Sequence, residues 1–343
     1  MIEAVLPPLQ RWLLFSGVLL LAGAVSWRSF VAPWQPAHLR PAMREIEIRL
    51  SRTAALISLL LIPAWGMRLV VQVMEFRDPF APLVDDVRFL LLETFWGIIW
   101  FAQGALLLLL AVGFQLLSRR AARRRTEEED GGSMAEAEAG GSTIGGGAAI
   151  PGDGEEGAGP APELPWGWKG AWTGVILLTL TLSLSSHAMS VPFLSPLAVA
   201  MDAAHALAAG AWVGTLALIL YLRPGPPDTT PVLAGQLKTF SYLAMGAVTI
   251  LVIMGTVLAG LHVGVVSNLW ASGYGRVFSL KVLAAAGVML LGFRNWRYGL
   301  PVVDSEDGSR SVRRRAAMEV GLAALVVLLT AVLVGTEMPE GVH

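Results

Sequence analysis

Met201-Asp202-Ala-Ala-His205 opens an apolar run that continues to about Leu222. It puts a thioether, a carboxylate and an imidazole close together, and an indole follows at Trp212. At helical spacing Met201, Asp202, His205, Ala209 and Trp212 share one face, because residues three and four apart are neighbours. The opposite face is Ala, Leu and Val. A run of this length reads as a membrane-spanning helix. An ionisable side chain there costs a few kcal/mol and marks function by default. Two more imidazoles stand at the ends of neighbouring apolar stretches: His187, with Met189 beside it, and His262. Imidazole and thioether donors suit copper, above all Cu(I). Zinc more usually recruits Cys or several carboxylates. The chain has no Cys, which excludes disulfides, thiolate metal sites and Cys nucleophiles. Its soft donors are twelve Met and five His.

The elements that must position these groups follow from composition. Of 343 residues, 55% are hydrophobic and 15% charged, which places the chain among integral membrane proteins. Eight apolar segments stand out, at about 12–32, 50–74, 89–117, 171–187, 197–222, 240–262, 276–300 and 316–336. The expected fold is therefore all-α: a polytopic bundle of about eight transmembrane helices. The fourth segment is the shortest and is rich in Ser and Thr. The first is not read as a signal peptide, since Glu3 stands in its n-region and Arg11 is its only base.

Lys and Arg set the orientation. Base-rich loops follow segments one (Arg40, Arg44, Arg49), three (Arg119 to Arg125), five (Arg223, Lys238) and seven (Arg310, Arg313, Arg314, Arg315). The alternate stretches 188–196 and 263–275 carry no charge. All four base-rich loops then face the cytoplasm, and both termini are extracytoplasmic. With this topology His187, Met189, Met201, His205 and His262 converge on the outer edge of segments four to six, at one depth. Residues 126–165 are rich in Gly, Ala, Glu and Pro and read as a disordered cytoplasmic linker. It divides a three-helix membrane part, 1–125, from a five-helix part, 166–343.

Other charges inside the apolar segments need partners. Lys281 lies about one turn into segment seven, at the depth of Asp202, and the two are expected to pair. Glu319 is expected to meet Arg294, and Arg68 and Glu93 are read as anchors or a pair. Trp34, Trp166, Trp168 and Trp270, near helix ends, are expected to act as interfacial anchors.

Ser186-His-Ala, the run Met201 to Gly214, Ser272-Gly-Tyr-Gly-Arg-Val-Phe-Ser-Leu-Lys281, Arg294-Asn295, Pro301 and Glu319 together resemble the copper resistance protein D family (CopD, or YcnJ-like). The resemblance runs across segments four to eight. The first three segments are similar only to the family's less distinctive N-terminal half. Thr215 departs from the pattern, which has a second Gly after Gly214, and this bears on helix packing more than on metal binding. The resemblance implies a multi-pass protein of the inner, cytoplasmic membrane that transports copper and is not an enzyme. Its partners would be the copper ion, the lipid bilayer and a periplasmic CopC-like copper carrier, with no nucleic acid. On this reading His187, Met189, Met201, His205 and His262 capture copper as Cu(I), supported by Asp202, Trp212 and Lys281. Two other readings compete: a b-type haem electron carrier with His205 and His262 as axial ligands, and a membrane docking partner for the carrier without transport.

Overall fold

The computed structural model describes residues 2–80, 82–140, 164–185, 195–224, 229–263 and 268–336. Every element among them is helical. In chain order these are α1 (Ile2–Ser26), α2 (Arg40–Glu75), α3 (Leu83–Leu92), α4 (Phe95–Gly140), α5 (Trp166–Ser183), α6 (Ser195–Ala209), α7 (Thr215–Tyr221), α8 (Thr229–Val263), α9 (Asn268–Ala271), α10 (Gly273–Arg294) and α11 (Glu306–Leu333). Three π-helical turns interrupt them, at Trp27–Val31, Gly210–Gly214 and Asn295–Gly299. The second makes α6 and α7 one continuous rod.

Seven stretches are long and apolar enough to cross a bilayer: Val5–Trp34, Ala37–Glu75, Phe95–Glu127, Pro196–Tyr221, Thr229–Gly260, Gly273–Val302 and Glu306–Leu333. The chain is an all-α polytopic membrane protein. The expected fourth segment, α5, is not among the seven. Its first turns hold Trp166, Gly167, Lys169 and Gly170, which dilute its apolar character. It still runs the length of the bundle. Near its start Trp168 packs edge-on against Phe114 of α4, and near its end the Thr181 carbonyl accepts from Gln103 Nε2 at 3.1 Å.

The helix ends sort into two groups. At one end Arg11 of α1 meets Glu75 of α2 at 3.7 Å and lies over Gly335, just past α11. There α1, α2, α5 and α11 enclose a cavity of about 410 Å³, with Arg68, Ser185 and Thr336 in its lining. At the other end Glu47 of α2 binds Arg28 at 2.9 Å and Trp168 Nε1 at 3.1 Å. Lys238 of α8 holds Asp304, just before α11, at 2.8 Å. The base-rich stretches belong to this second end, so α1 starts and α11 finishes on the same face of the bundle. If that face is extracytoplasmic, a reporter enzyme inserted near Gly145 is active only in the cytoplasm. Periplasmic activity at that position would invert the assignment.

The helix at the centre is α1. Leu21, Val25 and Trp27 are fully buried, and the helix touches α2, α5, α7, the Gly210–Gly214 turn and α11. Small residues let it approach α6–α7 backbone to backbone. A Cβ on Gly214 would stand 2.0 Å from the Leu19 carbonyl oxygen, and one on Gly23 would stand 2.2 Å from the Gly214 carbonyl carbon. Thr215, where the family pattern has Gly, is fully buried and donates from Oγ1 to the Gly23 carbonyl at 3.2 Å. Buried Trp27 donates to Gln236 of α8 at 2.8 Å. Trp12 donates to the Ala324 carbonyl of α11 at 3.2 Å.

Two details differ from expectation. Trp168 is not an interfacial anchor: it is 1% exposed, because the first turn of α5 faces Phe114 and the Glu47 carboxylate. Trp34, Trp166 and Trp270 are exposed, as anchors are. The helix α4 continues to Gly140, into the stretch 126–165. Glu and Ala are strong helix formers and dominate that extension. Residues 141–163 lie outside the described part.

Candidate functional site

The rod formed by α6, its π turn and α7 carries the polar face read from the sequence. Met201, Asp202 and His205 are half-buried in α6, and Trp212, in the π turn, is 6% exposed. The His205 ring packs on Gly255 of α8. A Cβ at Gly255 would lie 3.1 Å from His205 Cε1 and 3.5 Å from Nδ1, so the missing side chain makes room for the imidazole. His205 Nδ1 is buried and makes no hydrogen bond. Lys281 of α10 and Asp202 act on the ring electrostatically, and the Leu251 backbone reaches it as well. Lys281 and Asp202 also act on each other. Asp202 and Lys281 thus lie close enough to influence each other across α6 and α10, and both influence the imidazole.

The remaining donors are placed unevenly. His187 and Met189 lie outside the described residues. His262 is within α8, seven residues beyond Gly255. That is about 10 Å further along the helix, at 1.5 Å per residue. The equal depth expected of His205 and His262 is therefore not met by their backbones; His262 is nearer the end of the bundle where α6 begins. Among the described residues no three His, Cys, Asp or Glu side chains gather closely enough to hold a metal ion.

A second polar cluster lies about two turns along the rod from His205. Trp212 Nε1 donates to Glu319 Oε1 at 3.0 Å, and Asn295 Nδ2 donates to Oε2 at 2.9 Å. Glu319 is 3% exposed. Gly292 leaves room for both partners: a Cβ there would be 3.2 Å from Glu319 Oε1 and 3.2 Å from Trp212 Cζ2. The expected partner, Arg294, is exposed and points elsewhere, because successive helical residues are about 100° apart. Arg68 likewise does not pair with Glu93. It donates to Gln103 Oε1 at 3.0 Å and lies over the Trp96 ring. The sequence carried one usable signal for the Glu319 cluster: three polar residues in otherwise apolar helices, each needing a partner.

The fold defines a class: a polytopic helical membrane protein with ionisable side chains set among its packed helices. Residues 234–333, from α8 to the end of α11, match the family model for copper resistance protein D, CopD. This is the family resembled by the sequence motifs, and the match holds Gly255, Lys281, Asn295 and Glu319. No curated protein and no solved structure matches the chain.

Proposed function

We propose that the protein moves copper across the cytoplasmic membrane, entering at the end of the bundle where α6 begins. The observation that carries the reading is His205: a half-buried imidazole whose Nδ1 is buried without a hydrogen bond, on a helix that also presents Met201. A nitrogen free of other bonds is what a soft metal ion requires, and imidazole with thioether suits Cu(I). The match of residues 234–333 to copper resistance protein D supports the same cargo. Charges at Asp202 and Lys281 beside the ring would fix its orientation, as groups behind a metal ligand do.

The offset of His205 and His262 suits a relay better than a single shell. His262, His187 and Met189 would take copper near the outer surface. Met201 and then His205 would receive it deeper. The same offset disfavours a haem clamped between His205 and His262, and α6 and α8 touch at Gly255 where a macrocycle would have to sit. A periplasmic carrier of the CopC kind would deliver the ion at this end.

His205→Ala tests the proposal. Alanine is well tolerated in this Ala-rich helix, so the variant folds while copper uptake into proteoliposomes is lost. His205→Met retains part of the Cu(I) affinity, because a thioether is also a soft donor. Competition with a Cu(I) chelator provides the measurement. An affinity for His205→Ala equal to the parent's would sink the role given to this residue, and a stoichiometric haem absorption band in the purified protein would sink the copper reading.

A further inference from the structure

We propose that Glu319 is a proton-binding site whose protonation is coupled to copper passage, an inference that rests on the copper reading above. The carboxyl group lies in the core, between α10, α11 and the Gly210–Gly214 turn. Its two hydrogen bonds come from neutral donors, the indole of Trp212 and the amide of Asn295. Among the described residues no charged group on the surrounding elements forms an ion pair with Glu319, Arg315 one turn away on α11 included, whose buried Nε makes no hydrogen bond. On α10 and its π turn, Arg294 is exposed and Arg297 lies over the Tyr298 ring. On α11, Arg315 reaches towards Gly299, Arg314 is exposed, Arg313 lies beside Arg223, and Arg310 binds Asp307 at 3.0 Å. On α8, Lys238 holds Asp304. On α1 Arg11 holds Glu75, and in the π turn that follows it Arg28 holds Glu47. The groups that act on Glu319 are Asn295 and Trp212.

A carboxylate buried without a counter-cation is expensive in an apolar medium, and taking up a proton relieves that cost. The site can satisfy either state. Ionised, the carboxylate accepts from Trp212 and Asn295. Protonated, it needs an acceptor for its own O–H. Asn295 Oδ1 is buried without a hydrogen-bond partner, and turning the amide over presents that oxygen to the acid. Protonation also weakens the bond from Trp212, since hydrogen bonds to ions are about twice as strong as neutral ones. Trp212 sits in the π turn that continues α6, and such turns are frequent at functional sites. A proton on Glu319 would thus be felt by the rod that carries Asp202 and His205.

The test uses the full chain in lipid nanodiscs and in proteoliposomes. Infrared difference spectra between acid and alkaline pH should show the carbonyl stretch of a protonated carboxyl in the parent and lose it in Glu319→Gln. Copper uptake by the parent should vary by up to about tenfold per pH unit while Glu319 titrates. It should be flat with pH in Glu319→Gln, and Glu319→Asp should restore the slope. In Glu319→Gln the amide oxygen accepts from Trp212 and the amide N–H donates to Asn295 Oδ1 once that amide turns over, so the variant keeps its fold. A carboxyl band that persists in Glu319→Gln overturns the proton site. A pH slope in Glu319→Gln equal to the parent's overturns the coupling. A Glu319-dependent band in a protein that moves no copper keeps the proton site and overturns both the coupling and the copper reading.

Discussion

Gly214→Ala unfolds at a temperature several degrees below the parent, with a stability loss of about 3 kcal/mol. In an ordinary helix the change would help by up to about 1 kcal/mol, because Ala is the better helix former. Here the added methyl meets the Leu19 carbonyl oxygen at 2.0 Å and Gly23 Cα at 3.2 Å. Neither is a flexible side chain that can swing away. The two helices must part, and the contacts of Thr215 with Gly23 and of Leu19 with the turn part with them. Gly23→Ala does the same from the other side. Gly246→Ala, in α8 with nothing within 4 Å of its Cβ, is the matched control and should be neutral or slightly stabilising. Thermal unfolding in detergent reads all three. Equal melting for Gly214→Ala and Gly246→Ala would mean that α1 and α6–α7 are not in backbone contact.

The second large effect is at Asp202 and Lys281. If Asp202 and Lys281 pair, Lys281→Met removes the cation beside a carboxylate inside the bundle, at a cost of about 3–5 kcal/mol. Asp202→Asn leaves the ammonium in the same position. The double variant lacks both charges and should recover part of the loss, with a coupling of about 0.5–3 kcal/mol, typical of interacting sites. Losses that simply add would show the groups to be independent. Copper affinity gives a second reading of the same residues: Asp202→Asn should weaken it about 10- to 100-fold if the carboxylate orients His205.

The helices were legible because crossing a membrane needs length and apolarity, and both can be counted along the chain. Where each helix sits was not. Hydropathy says that α1 crosses; it does not say that α1 is central, since a helix facing lipid and one facing other helices are equally apolar. The approach of Gly23 to Gly214 is set by two helices remote in sequence, so no local pattern announces it. α5 falls short of the length and apolarity of the seven spans, because its first turns carry Trp166, Gly167, Lys169 and Gly170. At the site, the expectation that Asp202 pairs with Lys281 beside His205 rests on depth alone. The partner of Glu319 did not follow from depth, because one residue of rotation separates exposed Arg294 from half-buried Asn295. Gly255 went unremarked, since its role is to be absent beneath the His205 ring.

The backbone contact between α1 and the Gly210–Gly214 turn also bears on biogenesis. Gly23 and Thr215 are 192 residues apart. At about 5–20 residues per second, the ribosome needs roughly 10–40 s to deliver the partner after α1 has emerged. For that interval the innermost helix of the finished protein stands in the bilayer with its glycine face against lipid or against an insertion chaperone. Helices that leave the ribosome last therefore close around the one that left first. Premature termination between α4 and α6 would strand α1 with this surface open, marking the truncated chain for membrane quality control.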